Sequence, residues 1–154
     1  MNLSRNLTLG EVTRSATADR LGIKNDNISP AQLESIKTIA TNVFQPIRDK
    51  LGAIRVSSGF RSLELNKAIG GAVSSQHSKG EALDLQGIHF ENNVMFTFIK
   101  NNLEFDQLIW EFGDDLNPDW VHVSYAKSDI NRMQVLKSVR INGRVIYEKL
   151  GNKN

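Results

Sequence analysis

VSSQHSKGEALDLQ, residues Val73–Gln86, passes from a serine- and glycine-rich turn into a short strand. From Glu81 to Gln86 the side chains alternate, and a period of two puts Ala82, Asp84 and Gln86 on one face and Leu83 and Leu85 on the other. Asp84 interrupts an otherwise aliphatic run. A carboxylate there is costly unless something compensates it, so a hydrogen bond or a cation must come from elsewhere in the chain.

Outward from this strand, the remaining segments can be assigned in turn. Trp120 to Tyr125 (WVHVSY) is a second strand of the same kind, with Trp120, His122 and Ser124 on one side and Val121 and Val123 on the aliphatic side. Ala53 to Ser58 and Phe105 to Glu111 alternate as strands. Gln134 to Arg140 and Arg144 to Lys149 flank Asn142-Gly143, a dipeptide favoured in two-residue hairpin turns. Helices are expected where the period lengthens. Thr8-Leu9-Gly10-Glu11 has capping-box spacing and opens a short helix through about Leu21. Ser29-Pro30-Ala31-Gln32 starts the main core helix, carrying Leu33, Ile36, Ala40, Val43, Phe44 and Ile47; Pro46 is expected to kink or end it and Gly52 to stop what remains. Ser62 caps a short helix through Ile69, and Glu91 to Asn101 is amphipathic. Helices early and strands late predict an α+β fold: one domain over residues 1–154, with a helical part at 8–51 and a mostly antiparallel sheet at 53–149.

Composition narrows the chemistry. The chain has 154 residues, 40% of them hydrophobic, which suits one core without staples. It has no cysteine, so disulfides, thiolate metal sites and cysteine nucleophiles are excluded, and any metal site must use histidine, carboxylate and water. A net charge of +2, with lysines and arginines dispersed rather than clustered, argues against a nucleic-acid partner. It equally suits association with an anionic cell-wall polymer or a membrane surface. No apolar run reaches the ~20 residues of a membrane span, and MNLSRNLTLGEV lacks the apolar core of a signal peptide. The expectation is a monomer without an integral membrane segment or an export signal, made in the cytoplasm.

Only three histidines exist: His77, His89 and His122. If the faces carrying Asp84 and His122 adjoin, His77, Asp84 and His122 offer two nitrogens and an oxygen, a donor set that suits zinc and leaves a fourth position open for water. Spacing alone leaves the ordinary alternative standing, in which the histidines are hydrogen-bonded surface residues and Asp84 is a capping residue. His89 lies outside this pattern and is expected to face solvent. Ser75 either donates a hydrogen bond that orients His77 or Asp84, or is a turn serine.

The segment Ser75-Gln76-His77-Ser78-Lys79-Gly80-Glu81-Ala82-Leu83-Asp84 resembles the S-x-H-x-x-G-x-A-x-D signature of the zinc D-alanyl-D-alanine peptidase family. Related proteins are vancomycin-resistance dipeptidases, phage L-alanyl-D-glutamate endolysins and the Hedgehog signalling domain. Ser57-Ser58-Gly59-Phe60-Arg61-Ser62 resembles the family's upstream S-G-[FY]-R-S element, and Trp120-Val121-His122-Val123 resembles the strand with its last zinc ligand. The resemblance implies Zn2+ on His77, Asp84 and His122. In its terms Gly80 permits the turn between the first two ligands, where a side chain would crowd the metal or strain the backbone.

By the same resemblance, the catalytic base is a carboxylate shortly before the last histidine. That position falls on Asp119, where the family more often has glutamate; Glu111 competes, because residues three apart on a regular strand face opposite ways. Arg61 is implied as a contact to substrate and transition state. Apart from the resemblance, Trp120 and Tyr125 either line the cleft or, as aromatic strand residues more often do, belong to the core. The implied activity is hydrolysis of peptidoglycan stem peptides, either D-Ala-D-Ala carboxypeptidase or L-Ala-D-Glu endopeptidase. The small size resembles phage endolysins or virion-associated lysins. The rival readings are a non-enzymatic module that keeps the zinc fold to bind a partner, and a structural virion protein stabilised by metal.

Overall fold

Period-two alternation in six segments produces one sheet whose aliphatic face is covered by helices. The computed structural model describes residues 1–127 and 130–151. Six strands, β3 (Ile54–Ser58), β4 (Ala82–Gly87), β5 (Gln107–Glu111), β6 (Trp120–Ser124), β7 (Gln134–Ile141) and β8 (Arg144–Lys149), lie in the spatial order β3-β4-β6-β5-β7-β8. All pairs are antiparallel except β5 with β7, which is parallel. Asn142 and Gly143 take φ of 52° and 78° between β7 and β8, the left-handed pair that a two-residue hairpin turn demands. The domain is α+β with a mostly antiparallel sheet.

Leu83, Leu85, Val121, Val123, Leu108 and Val135 form the buried face of the sheet. They pack with Ile36, Ile39, Val43, Phe44 and Ile47 and with Met95, Phe96 and Ile99 of the helix Asn92–Asn102 in one core. The first group comes from a helical stretch with three parts: Pro30–Ile39, a π-helical turn Ala40–Phe44, and Gln45–Leu51. Ser29 and Gln32 form the expected capping box, with Pro30 in the first turn. Pro46 neither ends nor breaks this helix. In the wide turn before it, the Gln45 N–H reaches back to Ala40 O, and the chain enters Pro46 through that irregularity. Gly52 stops the helix at φ 102°.

At the N-terminus the structure differs from the expected single helix. A two-stranded ribbon, β1 (Asn2–Ser4) with β2 (Leu7–Thr8), precedes two short helices, Leu9–Thr13 and Ala16–Leu21. Arg14 is extended, and the Ser15 hydroxyl accepts from the Ala18 N–H at 3.1 Å, starting a new helix. The serine's local hydrogen bond competes with continuation of the first helix. The break matters for the site, because Val12 O accepts from Phe60 N at 2.9 Å and fixes the loop after β3.

Candidate metal and catalytic site

Register brings the polar faces of β4 and β6 together. Asp84 is paired directly with His122, and the bulged end of β3 sets Ser58 beside Asp84. His77 arrives from the turn before β4. That turn is tied to the core helix by Gln32 Nε2 donating to Ser78 O at 3.1 Å, and to the loop after β3 by Arg61 N donating to His77 O at 3.2 Å. Gly80 has φ 76°, and a Cβ there would lie 2.7 Å from Gln32 O and 2.8 Å from Ile36 Cγ1. The glycine is required by the close approach of the core helix as well as by its φ, and the crowding falls on that helix.

The three side chains meet. Ligand atoms of His77, Asp84 and His122 all lie within 4.8 Å of one another. Asp84 Oδ1 stands 3.0 Å from His122 Nδ1 and 3.4 Å from His77 Nε2, and the two imidazoles meet edge to face with centroids 5.2 Å apart. His77 and Asp84 are buried, at 4% and 7% exposure. The other His77 nitrogen, Nδ1, is 2.8 Å from Gly59 O. A carbonyl only accepts, so Nδ1 carries the proton and donates. Gly59 is itself constrained, since a Cβ would fall 2.4 Å from Val12 O.

The tautomer has a consequence. Burial pushes His77 below its ordinary imidazole value, against the opposing pull of Asp84, so it is neutral at neutral pH. Its Nε2 then presents a lone pair to Asp84. Burial disfavours ionisation of that carboxyl, but in acid a protonated His77 and the hydrogen bond from His122 outweigh the penalty and hold it below the usual carboxylate range, so the carboxyl is already ionised when His77 gives up its charge. A lone pair facing a carboxylate oxygen at 3.4 Å is an arrangement of two acceptors, which a cation between them satisfies. Two nitrogens and one oxygen, with the far nitrogen of His77 bonded to a carbonyl, fit a zinc-type donor set and its usual outer support.

Around this triad lies a cleft of about 700 Å³, lined among others by Arg61, Glu111, Trp120 and Tyr147. Arg61 Nη2 is 3.7 Å from Asp84 Oδ2, and its Nε donates to Ser58 Oγ at 3.3 Å. Glu111 faces the same side of the sheet as His122, being two residues from Ile109, the cross-strand partner of His122. Its Oε2 accepts from the buried Ser138 hydroxyl at 2.5 Å. Burial raises the Glu111 carboxyl above its ordinary value, with the Ser138 hydrogen bond opposing.

Asp119 is placed differently. It is exposed and does not line this cleft, and its backbone carbonyl accepts from Gln86 Nε2 and Asn92 Nδ2. Trp120 lines the cleft and stacks edge to face on Phe112 at 5.5 Å, whereas Tyr125 packs against the core. The Ser75 oxygen accepts from the His77 N–H at 3.3 Å, which shapes the turn. His89 is exposed on the bend after β4.

Residues 5–124 match the family model described as Peptidase M15. The chain belongs to the Peptidase M15 family. Its members are peptidases, which implies a peptidase activity for this M15 chain. A search of curated proteins found no match. The matched span ends at Ser124, so β7 and β8 lie beyond it. The sequence shows those strands only as a hairpin, not that Val145, Tyr147 and Lys149 line the cleft or that Ser138 bonds Glu111. Their period-two alternation was the available signal.

Proposed function

We propose that this M15 peptidase is a zinc enzyme that hydrolyses peptidoglycan stem peptides, of the D-Ala-D-Ala carboxypeptidase or L-Ala-D-Glu endopeptidase type. The observation that carries the zinc assignment is the buried Asp84 carboxylate facing the unprotonated nitrogen of His77, with His122 completing the set. His77 Nε2, Asp84 Oδ1 and His122 Nδ1 would hold the ion. Bound there, zinc supplies a Lewis acid that polarises a carbonyl and makes water a nucleophile near neutral pH.

The chain's own residues do the rest. Glu111, in the cleft and raised by burial, is the base that takes the proton of the attacking water and returns it to the leaving amine. Its bond from Ser138 holds one oxygen still and leaves the other for the reaction. Arg61, anchored by Ser58, presents its remaining donors to the substrate carbonyl, where negative charge develops. Its exposure and position outside the cleft disfavour Asp119 in the base role, and Ser75 orders the turn that carries His77. Trp120 contributes an aromatic wall.

The stem-peptide substrate and a setting as a phage endolysin or virion-associated lysin, acting on the cell wall after release, are supported by the motif resemblance. No helix among the described residues is long and apolar enough to cross a membrane. Digestion of purified sacculi with the zinc-loaded protein, followed by mass spectrometry of the muropeptides, tests the reading. New amino termini in the fragments are expected, and their masses identify the bond. Intact sacculi with zinc fully loaded would sink it.

A further inference from the structure

Strand β8 forms the outer wall of the cleft. Val145, Tyr147 and Lys149 alternate along it, and all three line the same space as Arg61, Glu111 and His122. One cross-strand row runs Lys149, Leu136, Ile109, His122, Asp84. With strands about 4.8 Å apart, Lys149 stands three strands, roughly 14 Å along the sheet, from His122. Tyr147 heads the next row, through Ser138 to Glu111. Its ring lines the cleft while remaining exposed to solvent.

The cations near this space are otherwise committed. Arg61 lies against Asp84, and Arg132 donates to both oxygens of Asp106 at 2.9 and 2.8 Å. Lys137, on the opposite face of β7, is 2.6 Å from Asp115. Lys149 has no carboxylate partner among the described residues.

We propose that Lys149 determines specificity by pairing with a carboxylate on an extended peptide substrate. At about 3.3–3.4 Å per residue, the 14 Å spacing puts that carboxylate roughly four residues from the scissile bond. Leu136 and Ile109, which stand between Lys149 and His122 in that row and line the same cleft, provide the apolar floor along which the intervening backbone lies. The substrate class is an acidic peptide, and the inference rests on the peptidase reading of this cleft.

Two synthetic peptides, identical except for a carboxylate or a carboxamide at that position, provide the test. Each is assayed for kcat/KM with the zinc-loaded protein and for Kd by calorimetry with the metal-free protein. The wild type is expected to favour the carboxylate by about fivefold, expressed in KM, as an exposed ion pair allows. The preference falls to near one in Lys149→Met and inverts in Lys149→Glu, while Lys137→Met keeps the wild-type ratio. An unchanged preference in Lys149→Met overturns the inference, as does a wild-type ratio of one in both assays, with the peptidase reading intact if turnover persists. Lys149-dependent binding without turnover of either peptide supports the inference and defeats the peptidase reading. Binding of neither peptide overturns the inference.

Discussion

Asp84 and Asp106 are buried to nearly the same degree, 7% and 4% exposed, yet their surroundings are opposite. Asp106 is met entirely by donors: the Arg132 guanidinium on both oxygens, the Arg132 N–H at 3.0 Å and Gln76 Nε2 at 3.0 Å. Asp84 is met by imidazole nitrogens, one of them bearing a lone pair, and by Arg61 only at 3.7 Å. Donors that saturate a carboxylate make it structural. Acceptors that confront one make a place for a cation between them.

Five measurements can break or sharpen that contrast. The largest effect is expected at another buried carboxylate, Glu111. Glu111→Gln should lower kcat by about 10²–10⁴-fold, while Asp119→Asn stays within a few-fold of wild type; steady-state kinetics on a stem peptide decide between them. Next comes metal linkage. Zinc at a hundred times its dissociation constant should stabilise the wild type by about 2.7 kcal/mol and Asp84→Asn hardly at all, read as melting shifts with and without chelator. A full zinc shift in Asp84→Asn would erase the distinction between the two aspartates.

Removing the saturated carboxylate should cost less and act on the fold. Asp106→Asn is expected to lose about 1–3 kcal/mol in urea unfolding, because the Arg132 and Gln76 donors lose a charged acceptor. The smallest effect is in pH dependence. The hydrogen bond from Arg132 holds the folded Asp106 carboxyl below its ordinary value, against the penalty of burial. The unfolded chain therefore binds the proton more tightly, and the stabilisation is full above about 3.9 and drains away as pH falls through the lowered folded value. Asp106→Asn should flatten that acid slope. Glu111 has the opposite sign: its carboxyl is raised, so kcat/KM should fall on acidification at a pH above the usual carboxylate range, and Glu111→Gln should remove that limb.

Much of this site was legible in local pattern, because strand alternation is a local property. The period of two placed Asp84 and His122 on polar faces, and the Ser29 and Ser62 caps and the Asn142-Gly143 turn announced themselves in short stretches of chain. Register between strands was not legible. That Asp84 sits opposite His122, or that Glu111 lies on the same face two residues from Ile109, depends on pairing across 38 and 13 positions of chain. The bond from His77 to Gly59 O and the role of Val12 in fixing that carbonyl are likewise long-range. The N-terminal helix divided because the Ser15 hydroxyl outcompeted a periodic pattern. Asp119 and Glu111 could not be separated by motif spacing alone, since the loop between them sets where each side chain points.

The parallel join of β5 to β7 gives the molecule an order of assembly. During synthesis the strands through Ser124 emerge together and can zip into a four-stranded unit that gathers His77, Asp84 and His122, whereas the hairpin must come afterwards and dock along an already formed edge. Strand β8 then hangs on a single neighbour with every residue exposed to water. It should surrender its amide protons to deuterium before the rest of the sheet does, so the rim that greets an arriving ligand is also the part most easily opened.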